Sequence, residues 1–107
     1  MSNGLLGKAM SITGNNVTVY TVPGTAEFAT VTVMVINTGS EIAKVNSYVT
    51  ADASPANIDL IGIQDELSPN GGTLEYSCLV LAPGEKIIIN ADSAECVIRV
   101  HGLEKLA

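Results

Sequence analysis

Apolar side chains recur at every second position along this chain, in short runs separated by turn residues. In residues 28–36, Val31, Val33 and Val35 share one face, and Thr30, Thr32, Met34 and Ile36 share the other. In 42–51, Ala43, Val45 and Val49 alternate with Lys44, Asn46, Tyr48 and Thr50. In 73–81, Leu74, Tyr76, Cys78 and Val80 alternate with Glu75, Ser77, Leu79 and Leu81. In 96–103, Cys96, Ile98 and Val100 alternate with Val97, Arg99, His101 and Leu103. Successive side chains of a strand point to opposite faces, so a two-residue period marks a half-buried strand. Residues 16–21, 58–63 and 85–90, with 5–12 as a further candidate, bring the expected count to seven or eight strands.

Between these runs lie Thr13-Gly14-Asn15-Asn16, Pro23-Gly24, Asn37-Thr38-Gly39-Ser40, Ser68-Pro69-Asn70-Gly71-Gly72, Pro83-Gly84 and Ala91-Asp92-Ser93. Gly admits positive φ and Pro presets φ for the second turn position, so each is a turn with a mechanism. No helix is expected: residues 51–57 contain Pro55 and no apolar stripe at helical spacing. Parallel strands need crossovers of a dozen or more residues, for which there is no room, so the sheets should be antiparallel. The reading is all-β: an antiparallel, jelly-roll-like β-sandwich.

Size and composition sharpen this picture. A chain of 107 residues fits one β-sandwich domain spanning 1–107. Residues 1–14 are either its first strand or an N-terminal arm that adds a strand to a neighbour; the first strand is the simpler assignment. A hydrophobic fraction of 47%, drawn mostly from Val, Ile, Ala and Leu, argues against disorder and for pleated structure. Met34 and Ile36 lie opposite the Val31–Val35 set, and Leu79 and Leu81 lie opposite Val80. Apolar residues on both faces suggest a second buried surface, either a subunit interface or a covering segment.

Charge narrows the partners. Five Lys or Arg face eleven Asp or Glu, a net charge of −6. The cations Lys8, Lys44, Lys86, Arg99 and Lys105 are scattered, whereas nucleic-acid binding needs them clustered. The acidic surplus also speaks against anionic membranes. No apolar run approaches the ~20 residues of a membrane helix, and the N-terminus lacks a secretory pattern. A soluble protein made in the cytoplasm is expected, with Cys78 and Cys96 as buried free thiols rather than a disulfide.

Candidate chemistry is sparse. His101 is the one histidine, and a cysteine nucleophile needs a base within reach. Cys96 and His101 differ in parity and should face opposite sides of a strand. Cys78, amid Leu74, Tyr76 and Val80, reads as a core thiol. No local Cys or His pairing suits a metal, and Asp59, Asp65 and Glu66 lack the pattern of a calcium loop. Asp65 and Glu66 read as solvated carboxylates at a strand end, and Gly71-Gly72 as a tight turn rather than a phosphate loop. We therefore expect no enzyme, no catalytic or metal-binding residues and no cofactor.

Val19-Tyr20-Thr21-Val22-Pro23-Gly24, followed by Ala29-Thr30-Val31-Thr32-Val33-Met34-Val35-Ile36-Asn37-Thr38-Gly39, forms a recognisable order with later segments. These are Leu67-Ser68-Pro69-Asn70-Gly71-Gly72-Thr73-Leu74-Glu75, then Leu79-Val80-Leu81-Ala82-Pro83-Gly84-Glu85-Lys86-Ile87, and finally 96–104. Over residues 15–104 the chain resembles small β-sandwich virion structural proteins of tailed bacteriophages, either capsid decoration (cement) proteins or tail-associated ones. The resemblance implies a homo-oligomer, a trimer on the outside of a viral capsid, that bridges major capsid subunits and stabilises the head shell. It implies contacts with itself and with the major capsid protein or other virion proteins, and no catalytic residue. A tail fibre or baseplate component is the alternative within that group. A carbohydrate-binding module is the alternative from another class, disfavoured by an aromatic content of 4%.

Overall fold

In the computed structural model, which describes residues 3–106, eight strands build two facing antiparallel sheets. They are β1 (Asn3–Met10), β2 (Asn16–Thr21), β3 (Ala26–Asn37), β4 (Ala43–Thr50), β5 (Leu60–Leu67), β6 (Gly72–Leu81), β7 (Lys86–Ala91) and β8 (Cys96–Leu106). One sheet runs β1-β8-β3-β6 and the other β2-β7-β4-β5. Neighbours in each sheet are mostly distant in sequence, and consecutive strands alternate between sheets except for β4 and β5, which pair with each other. That is the double Greek key of a jelly roll. The all-β antiparallel sandwich expected from alternation is the observed architecture.

The alternation works as read in most strands. Val31, Val33 and Val35 of β3 and Ile98 and Val100 of β8 are buried, and they meet Val45 of β4 and Ile87 and Ile89 of β7 in one core. Each such side chain contributes roughly 1.5–3 kcal/mol by leaving water. Ile88 lies on the opposite face of β7, between Thr18 and Tyr48 in register, and is also fully buried. Residues 3–10 of the N-terminal segment pair with β8, in the first strand of this chain's own sheet. Met1 and Ser2 lie outside the described residues.

Asn37, at the end of β3, is a buried polar residue with a complete set of partners. Its Nδ2 donates to the carbonyls of Glu41 (2.7 Å) and Leu67 (3.1 Å), and its Oδ1 accepts from the Gly39 N–H (2.9 Å). A buried amide so satisfied ties the β3–β4 and β5–β6 connections to one point. The Asn37-Thr38-Gly39-Ser40 turn signal therefore has a structural job beyond reversing the chain.

Two expectations need correction. The strand expected at residues 58–63 is displaced: Asn57–Asp59 make one 3-10 turn, and β5 begins at Leu60 and runs on to Leu67. Asp59 accepts a hydrogen bond from the Ala56 N–H, closing the turn locally, and Ile58 is left 93% exposed. Cys78 is not a core thiol. The β3–β6 register shifts between Val31 and Val33, and Cys78 takes φ of 60°. This bulge puts one extra residue into β6 and reverses its parity. Before the bulge Leu74 and Tyr76 are half-buried. After it Leu79 packs against the core and Leu81 is buried, whereas Cys78 and Val80 are exposed. Both cysteines are free, and Cys96 alone is buried.

Candidate interaction surface

No residue set singled out for chemistry comes together. On β8, Cys96 faces the core and His101 lies on the outer face, as their parity requires. The His101 Nε2 accepts from the Arg99 Nε at 3.2 Å. Cys78 lies in β6, separated from His101 by the intervening strand β3. Two strand spacings, roughly 10 Å, exceed hydrogen-bond reach. Burial raises the Cys96 thiol above its ordinary value, with a smaller opposing contribution from the Ser11 hydroxyl. Gly71-Gly72 closes a tight turn, with the Gly72 N–H donating to the Ser68 carbonyl at 3.1 Å. Among the described residues, no group of three or more His, Cys, Asp or Glu is placed to hold a metal, and no helix is long and apolar enough to cross a membrane.

Asp65 is more than a solvated carboxylate. Tyr76 of β6 donates to its Oδ2 at 2.8 Å, joining the two sheets along the β5/β6 edge. Burial, then the hydrogen bond and charge of Asp65, push the Tyr76 phenol up to about 12. Glu66, next in sequence, is exposed opposite Lys44. Along the other edge, Tyr20 of β2 donates to Glu104 Oε2 of β8 at 2.5 Å. Burial and then Glu104 raise that phenol as well. Sequence reading missed both pairs. Parity shows that a tyrosine faces inwards, but not which acid on the opposite sheet it meets.

The outer wall of the β1-β8-β3-β6 sheet carries a patterned surface. Met10 pairs in register with Val97, and Val97 with Ile36. Lys8 pairs with Arg99, Arg99 with Met34, and Met34 with Glu75. An apolar row therefore runs beside a row of opposite charges with Met34 between them. Towards the other end of the wall Leu5 and Leu103 are partly exposed, and Val80 is 67% exposed. In a two-layer sandwich the outer face is ordinarily polar, so this wall departs from the usual pattern. Met34 and Ile36, expected on the second face of β3, are there and half-buried.

Two depressions mark the end of the molecule nearest Met10. One, about 300 Å³, is bordered by Lys8, Met10, Val97 and Arg99. The other, about 390 Å³, is polar and is lined from the β3–β4 and β7–β8 connections by Glu41, Ile42, Asp92 and Glu95.

No protein-family model matches the chain, and no curated protein matches it. A solved structure does. It is a pentameric capsid protein isolated from metagenomic phage sequences, 13% identical, with a TM-score of 0.44 over 94% of this chain. The match takes in 66% of that protein, which is accordingly the longer of the two.

Proposed function

We propose that this chain is a structural protein of a bacteriophage virion, a capsid decoration protein that assembles with copies of itself, as a trimer, and stabilises the head shell by binding between major capsid subunits. One observation carries the reading: a stiff antiparallel sandwich keeps apolar side chains on an outer wall, at Met10, Val97, Met34 and Ile36 and at Leu5, Leu103 and Val80. Exposed apolar surface of this kind is characteristic of protein–protein contact. The resemblance of residues 15–104 to small phage virion proteins supports the same reading.

The test is binding to assembled shells. Purified protein should cosediment saturably with expanded phage heads and raise their disruption temperature. Labelled antibody on intact virions should decorate heads. Decoration of tail tips would replace the head assignment with a tail role, and a protein that ignores virions altogether would end the proposal.

A further inference from the structure

We infer that the Lys8–Met10–Val97–Arg99 strip on the outer wall receives the acidic β3–β4/β7–β8 end of a second copy of this chain. The inference rests on the self-association proposed above and assigns the surfaces that mediate it. Lys8 and Arg99 are register partners on one face, and neither has a carboxylate within 4.0 Å among the described residues; the ion pair present is Lys105 with Glu27. In a chain of net charge −6, two cations without acidic partners beside apolar side chains call for an acidic occupant.

The chain itself offers one. At the neighbouring end Glu41, Asp92 and Glu95 surround Ile42, which is 58% exposed. An exposed isoleucine in a carboxylate-lined depression thus complements an apolar strip flanked by cations. Exposed ion pairs add little affinity alone, so burial of Ile42 against Met10 and Val97 supplies attraction while the charges select orientation and partner. Both surfaces sit near one end of each molecule, because Glu95 precedes the start of β8 and Val97 is its second residue. The contact is heterologous: each copy gives one surface and receives on the other, and such contacts close into rings when the rotation permits.

Charge swapping tests this, read by sedimentation and native mass measurement. Lys8→Glu with Arg99→Glu reverses the strip, and Glu41→Lys with Glu95→Lys reverses the acidic end. Each pair alone should weaken self-association at least about tenfold, since like charges then oppose one another. The fourfold variant, in which strip and acidic end exchange signs, should recover it. Ile42→Ser, at an exposed connection, should weaken association without changing the thermal midpoint, which covers the case of a charge variant that fails to fold. A wild-type oligomer indifferent to both reversals and to Ile42→Ser would overturn this assignment and leave self-association standing. A wild-type protein monomeric at high concentration would overturn both, with shell binding still reading the virion role separately.

Discussion

The two edges of this sandwich are closed by the same chemistry set in different surroundings. At the β1/β2 edge, buried Tyr20 reaches Glu104 on the opposite sheet; at the β5/β6 edge, half-buried Tyr76 reaches Asp65. Behind each pair stands a glycine. A Cβ at Gly7 would overlap the Val19 backbone carbonyl, whereas one at Gly62 would overlap the Tyr76 hydroxyl. The first edge is therefore shut by backbone against backbone, the second by the tips of two side chains, Tyr76 and Asp65. All four edge strands lie at register shifts, but the non-glycine residues at positive φ within strands, Gln64 and Cys78, belong to the second edge, with Ile63 and Val80 exposed beside them. One edge is closed by main chain, and the other by side chains.

Gly7→Ala should be the most damaging single change. The main chain of β2 cannot move aside without disturbing its pairing with β7, so a loss of about 3 kcal/mol is expected from overpacking. Denaturant titration checks it, and an unchanged midpoint would show that the β1/β2 edge is no tighter than the other. Tyr20→Phe comes next. It strands Glu104 in a partly buried site without its donor, at a cost of about 2 kcal/mol. Tyr76→Phe, in the more exposed setting, should cost about half that. Equal losses would erase the distinction between the edges.

Gly62→Ala should cost about 1–2 kcal/mol, because a side-chain tip yields more readily than backbone. It should also be non-additive with Tyr76→Phe, which removes the nearer of the two obstructing oxygens and frees the Asp65 carboxylate to move. The double variant is expected to be no less stable than Gly62→Ala alone. Simple additivity in the cycle would mean that Tyr76 does not fill the space that Gly62 leaves.

Alkaline pH separates the same elements without mutation. Both phenols have folded-state values raised above the ordinary 10.0, chiefly by burial, so folding favours the protonated form. Their contribution is fully present below pH 10.0 and is lost as pH rises, for Tyr76 between 10.0 and about 12. Stability measured in denaturant at pH 9 and 11 should fall for the wild-type protein and less steeply for Tyr76→Phe. Parallel pH profiles would detach Tyr76 from the effect.

The core was legible in the sequence, and the β5/β6 edge was not. Val31, Val33, Val35, Ile98 and Val100 alternate without interruption, so period alone assigns their face. The same parity separates Cys96 from His101. β5 and β6 defeat that rule because their irregularities lie at Gln64 and Cys78, where no glycine announces a positive φ. A one-residue insertion reverses every face beyond it, which is why Val80 reads as core and emerges 67% exposed. The outer wall was half legible. Met34 and Ile36 were visible as a second apolar face, but the row they share with Met10 and Val97 depends on strand order. That order is set by a jelly-roll path that local patterns do not encode.

The smallest expected effect, and the only stabilising one, is at Cys78. An L-residue in the left-handed region costs roughly 1–2 kcal/mol, while glycine in a strand loses about 0.5–1 kcal/mol to its greater unfolded freedom. Since the Cys78 side chain is exposed, Cys78→Gly gives up little packing. A net gain of about 0.5 kcal/mol should follow from relieving that conformation. The matching change at Cys96, buried among core residues with regular strand geometry, should instead destabilise by about 2 kcal/mol or more through a cavity. Opposite signs at two cysteines would place the bulge at Cys78. A loss at both positions would mean that β6 runs straight through, that Val80 returns to the core, and that the outer wall ends at β3.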